Sequence, residues 1–281
     1  MLSSWVVLAI LAGLLSNAFN TLCRYFLKDK DDAAVWAWFF EAGRLVIFSV
    51  VVLFDFSIRQ EPATFFLLLL VGLTELGGSY FTMKMHAYTH LSISTILSRT
   101  RMIWIPIVAF FFLREHLLSS DYVGIFVLFL GVSITVAPRR FFVDKGAMYA
   151  NVAAFILAFN TIVLKAAIPQ ASYSTILLAS AFPSVVFLPA VIKNARRSIV
   201  SFARTKLWLK IAAILMHVGS IYFFLAALDV GEVSKVNAIY QGMLVTSVFF
   251  GIIFFKERED ILKKCIGAAV TIVGILMLIY K

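Results

Sequence analysis

Cysteine, proline and charge are all scarce in this chain: 281 residues hold two cysteines, six prolines and 14% charged side chains. Cys23 and Cys265 make no disulfide framework, and no Cys/His cluster has metal-ligand spacing. No His-Glu-x-x-His helix, nucleophile elbow or phosphate-cradling glycine loop lies in or beside an apolar run, so neither a cofactor nor direct nucleotide-powered work is expected. Soluble domains are roughly one quarter charged. What is present is apolar: 62% hydrophobic residues and a mean hydropathy of +0.97. A soluble fold cannot hide that much apolar surface, because surface shrinks too slowly with size.

The bilayer is the solvent that fits. There, backbone polar groups are satisfied only within helices or a closed barrel. The runs are about 17–24 residues long and continuous, not alternating ten-residue strands, which selects helices. Spans are expected at residues 4–22, 34–54, 63–87, 92–113 and 122–137, then at 146–166, 172–192, 206–228, 233–255 and 261–280. The first run starts near the beginning of the chain without a basic segment before it, and reads as a retained helix, not a signal peptide. The net charge of +10 is spread over loops and helix ends. It reads as anchoring on an anionic membrane surface, with no nucleic-acid partner.

The chain echoes itself. At a constant offset of 142, Glu75–Glu115 falls on His217–Glu257, matching Gly77 to Gly219, Tyr80 to Tyr222, Ser92 to Ser234 and Glu115 to Glu257. Ala18–Thr21 recurs letter for letter as Ala158–Thr161, and Gly124 and Gly131 return as Gly267 and Gly274. The expected fold is an all-α integral membrane protein: ten transmembrane helices as two inverted five-helix repeats, residues 1–140 and 141–281. Five spans per half is an odd number, so the second half enters the membrane upside down. Inverted repeats of this kind place a substrate site near the midplane between them.

Ionisable groups inside spans are costly and mark candidate sites. Glu41 and Arg44, three apart, share a helix face, as a packing pair or as part of a site. Glu75 and His217 occupy equivalent places in the two halves, where a carboxyl and an imidazole facing a shared cavity suit proton coupling. Tyr80 and Lys84 follow Glu75, and Tyr222 follows His217. Ser92, Thr95 and Arg99 form a stripe at i, i+3 and i+7; Ser234, Asn237 and Gln241, with Tyr240 beside them, form its counterpart. Helical periodicity turns Arg101 about 200° away from Arg99. Arg99 is therefore expected on a cavity wall and Arg101 against another helix, through Glu41 or Glu75. Asn20 and Asn160 mark matching places on the first and sixth spans, for substrate or for helix packing. The fifth and tenth spans, poor in polar residues, are left for lipid or a homodimer contact. Arginines and lysines crowd one set of alternate loops, which places both termini outside the cytoplasm.

Two charged turns, Leu113-Arg114-Glu115-His116 and Phe255-Lys256-Glu257-Arg258, each precede a glycine-containing closing helix. With the five-plus-five repeat, they make the chain resemble the drug/metabolite transporter superfamily in its ten-helix EamA-type branch. The turns are similar to that family's Leu-Gly-Glu turn, with Arg114 and Lys256 where the family has glycine. The resemblance implies a secondary transporter of the cytoplasmic (inner) membrane. It implies a small polar or amphipathic metabolite, exported or exchanged by alternating access, and a cavity framed by spans one to four and six to nine. Arg44, Lys84 and Arg99 suit an anionic or zwitterionic substrate. The resemblance also implies cytoplasmic termini, opposite to the loop charges. The alternatives are a flippase for a lipid-linked head group and a membrane-embedded enzyme.

Overall fold

The computed structural model describes residues 3–27, 33–88, 99–136, 145–246 and 260–280. The first half contains α1 (Ser4–Leu27), α2 (Ala33–Val51), α3 (Pro62–Tyr88), α4 (Arg101–Leu113) and α5 (Ser119–Val136). The second contains α6 (Lys145–Ala167), α7 (Tyr173–Phe187), a 3₁₀ turn (Leu188–Val191), α8 (Ala195–Ala203), α9 (Leu207–Val230), α10 (Val233–Gly242) and α11 (Ile261–Ile279). Seven of these segments are long and apolar enough to cross a membrane, and α4 and α5 are shorter apolar helices. An isolated bridge, Ile58 to Ala171, is the one extended pairing among the described residues.

Local chemistry sets the ends. Pro62 opens α3 at the position where its missing N–H costs nothing. Ser172 caps α7 by accepting from the Thr175 N–H at 3.4 Å. Pro189 converts the end of the expected seventh span into the 3₁₀ turn. Two departures from the expected spans matter. The connector after the seventh span carries a helix of its own, α8, whose alternation of arginines with small and apolar residues is too short to register as a span. The ninth span, expected to run unbroken from 233 to 255, stops at Gly242; Met243 and Leu244 turn before helix resumes at 245. The break is held from α1. Asn17 Nδ2 donates to the Met243 carbonyl and to Thr246 Oγ1 at 3.2 Å.

The helices pack in counterpart pairs. The closest associations are α5 with α11, α3 with α6 and α1 with α9, followed by α3 and α2 with α7, then α4 with α6 and α1 with α10. Under the sequence offset, α3–α6 becomes α9–α1. The α5–α11 pair is antiparallel and runs on glycine. A Cβ on Gly131 would meet the Thr271 backbone nitrogen at 2.4 Å, and one on Gly267 the Thr135 nitrogen at 2.6 Å. Both helices turn their other sides outward, exposing Phe126, Val123, Leu262 and Val273. Large apolar side chains such as Phe54, Phe111 and Trp208 are likewise exposed, as a lipid-facing surface requires.

Candidate functional site

A cavity of about 340 Å³ lies among α1, α2, α3, α6, α9 and α10, with Arg99 and Arg101 entering at the start of α4. Its lining comes from the C-terminal half of α1 (Ser16, Phe19, Asn20), the N-terminal half of α2 (Ala37, Phe40) and the C-terminal half of α3 (Glu75, Ser79, Thr82). These halves lie at one end of the bundle, where Asn20 is exposed.

Of the residues expected at the site, Asn20, Glu75, Arg99, Asn160, His217, Tyr240 and Gln241 line this cavity. Asn160 donates to Thr74 Oγ1 at 2.8 Å and to the Val71 carbonyl at 3.1 Å, tying α6 to α3. Tyr240 donates its hydroxyl to Ser16 Oγ at 2.9 Å. Arg99 donates to Gln241 Oε1, joining the two polar stripes that the repeat paired. His217 sits against aromatic faces, 4.5 Å from the Phe19 ring and 5.1 Å from the Phe40 ring. Its Nε2 has no hydrogen-bond partner among the described residues, and neither has Arg101 Nε.

Other expectations fall elsewhere. Glu41 and Arg44 are fully buried and do not line the cavity. Arg44 Nη1 lies 2.9 Å from Glu41 and 3.6 Å from Glu75, and its Nη2 donates to Ser180 Oγ at 2.6 Å. The pair therefore stands behind the wall, with Glu75 as its exposed edge. Asn237 is also buried one layer back, where it accepts from Arg101 Nη2 at 3.4 Å. Tyr80 and Lys84 face away, the ammonium 5.5 Å from the tyrosine ring centroid. Tyr222 lines a different, larger pocket of about 540 Å³ at the opposite end, packed on Tyr173 at 5.6 Å. Thr95 lies outside the described residues. Arg101 corrects the periodicity argument: it lines the same cavity as Arg99. Thr100 between them keeps right-handed backbone angles, φ −57° and ψ −16°, so it is the length of the two guanidinium side chains that brings both to one cavity.

Sequence reasoning missed Phe19 and Phe40 on the lining, together with Ser16 and Ser220. Ser16 precedes Asn20 by four residues and Ser220 follows His217 by three, so one-face spacing was the available signal. The aromatics gave none, being lost among 28 phenylalanines. No three His, Cys, Asp or Glu side chains gather as a metal site among the described residues.

At the opposite end, beside the larger pocket, cross-helix ties gather around the α9–α10 turn. Lys165 of α6 donates to the Leu228 carbonyl and to those of Asp229 at 3.1 Å and Gly231 at 3.3 Å. Tyr173 of α7 donates to Asp229 at 2.6 Å. Glu115, in the turn after α4, accepts the Ser234 N–H at 3.2 Å at the start of α10. Lys235 bridges Asp121 at 2.8 Å and Glu232 at 2.6 Å. A cation thus satisfies the last carbonyls of one helix, while a carboxylate satisfies the first donors of the next.

A family model described as EamA-like transporter family matches the chain twice, over residues 3–137 and 144–280. A solved crystal structure shares the fold with a TM-score of 0.75, at 16% identity over 99% of this chain and 96% of that one. No curated protein sequence matches.

Proposed function

Since the chain belongs to the EamA-like transporter family and is an integral membrane protein, we propose that it moves a small polar or amphipathic metabolite by alternating access, as an exporter or exchanger. The observation that carries this reading is the asymmetry of the bundle. A cavity lined by polar groups and rings lies toward one end, and a band of cross-helix ties closes the other. Arg99 and Arg101 on one wall suit a carboxylate or phosphate, whose oxygens accept paired N–H donors. Phe19, Phe40, Phe224 and Tyr240 suit an apolar part of the same molecule. Glu75 opposes them and makes a zwitterion the alternative cargo.

Within this reading the chain forms ten spans as two inverted five-helix repeats, 1–140 and 141–281. The counterpart packing of α3–α6 with α9–α1 and the antiparallel α5–α11 pair support it. The membrane is the cytoplasmic (inner) one, and the outward faces of α5 and α11 meet lipid or a second copy.

Ligand-induced thermal stabilisation of the purified protein tests the site. A ligand at a hundred times its Kd stabilises by about 2.7 kcal/mol. A hit among anions or amino acids that disappears in Arg101→Ala and Glu75→Gln, with both variants folded, is the expected result. Reconstituted protein that moves no candidate class under any ion gradient would overturn the proposal.

A further inference from the structure

The connector between α7 and α9 is built for something the cavity does not use. From Lys193 to Lys210 it carries six cations and no acid. Its helix α8 places Ala195, Ile199, Phe202 and Ala203 on one side, half-buried, and exposes Arg196, Arg197 and Arg204 on the other. Among the described residues no ion pair involves these three arginines. The helix is also fixed in place. Phe202 packs 5.7 Å from Trp36 and 5.8 Å from Phe39. Buried Lys210 donates to the Phe202 carbonyl and to Thr205 Oγ1 at 3.0 Å, its ammonium 3.5 Å from the Phe202 ring centroid. Immediately afterwards α9 begins with Leu207, Trp208 and Leu209, all exposed, with Trp208 82% exposed. Apolar side chains in that position are lipid-facing, so the arginines just before them stand at headgroup depth, with a tryptophan at the boundary.

We propose that α8 and its flanks form a binding site for anionic phospholipid headgroups in the leaflet at the cavity end of the bundle. Guanidinium groups match phosphate oxygens in paired hydrogen bonds. A basic segment held against a membrane surface is drawn to anionic lipid without a deep pocket. The site touches the transport cavity through rings: Phe202 on Trp36, Trp36 stacked 6.3 Å from Phe19, and Phe19 on the cavity wall against His217. Headgroup occupancy therefore braces the wall on which a substrate would rest. That last consequence rests on the transporter reading; the lipid site itself does not.

The test places the full chain in nanodiscs of phosphatidylcholine with and without phosphatidylglycerol, and measures retained lipid by native mass spectrometry. Wild type should hold phosphatidylglycerol in preference to phosphatidylcholine. The preference should fall roughly fivefold for each of Arg196→Gln, Arg197→Gln and Arg204→Gln. Thermal midpoints in pure phosphatidylcholine should not change, which separates lost binding from lost folding. Equal retention of the two lipids overturns the site, as does an undiminished preference in the triple variant. Displacement of the lipid by inorganic phosphate at matched ionic strength also overturns it, since the site would then read a soluble anion. No transport assay enters this measurement, so its failure is distinct from failure of the transporter reading.

Discussion

Arg114 ends α4 in the left-handed region, at φ 54° and ψ 37°. Its N–H closes back on the Ala109 carbonyl, which is the work glycine usually does at a helix C-terminus. A side chain there costs about 1–2 kcal/mol. Arg114→Gly should therefore raise the thermal midpoint of the detergent-purified protein by an amount equivalent to about 1 kcal/mol; an unchanged or lower midpoint would show that the arginine side chain compensates. Behind the cavity, Arg44 balances Glu41 where neither is exposed. Arg44→Met leaves that carboxylate buried without its cation, and stability should fall by about 3–5 kcal/mol. Arg101→Gln, on the wall, should leave the thermal midpoint close to wild type and remove anionic-ligand stabilisation. The two arginines separate because one holds the fold and the other faces the cavity. In the sequence, Glu41 and Arg44 were readable as partners because spacing of three fixes a shared helix face. Arg101 was not, because a long guanidinium side chain reaches a cavity that backbone periodicity alone places on another side of the helix.

At the scale of elements, long apolar runs declared themselves and short ones did not. α3, α6, α9 and α11 lie within two residues of their expected bounds, since continuous apolar runs near bilayer thickness mark their own ends, while α1 runs five residues past its expected end at 22. The end of α10 escaped notice because Met243 and Leu244 are as apolar as the helix around them; the break is set by Asn17 on α1, far away in sequence. The recurrence of Gly124 and Gly131 as Gly267 and Gly274 was legible, but its meaning was not. Those glycines do not sit on a face left for another molecule; they let α5 and α11 close on each other. Gly131→Val would drive branched carbons into the Thr271 backbone, with no flexible side chain to give way. It should lower the thermal midpoint sharply, by several kcal/mol, whereas Leu130→Val on the exposed side of the same helix should change it little.

For the whole molecule, the proposed alternating access makes the turn between α9 and α10 the part that holds one end closed. Hydrogen bonds to a charged group contribute about 1.5–3 kcal/mol each when made and desolvated. Lys165 makes its contacts only while α6 and the end of α9 are together. Every 1.4 kcal/mol removed from that arrangement moves the ratio of closed to open molecules about tenfold. Lys165→Met should therefore raise the labelling rate of a cysteine placed at Leu228 by a membrane-impermeant thiol reagent added from that side. An unchanged rate would mean that the ties are ornamental to the closed state. The same lysine has a meaning for coupling. Under the proposed alternating access, the barrier held by Lys165 and its neighbouring ties sets how often the protein reorients without cargo, and for an exchanger each such event is an uncoupled step. If the proposed transport cycle holds, turnover and uncoupled reorientation should rise together in Lys165→Met, which would make Lys165 the residue that trades speed against tightness.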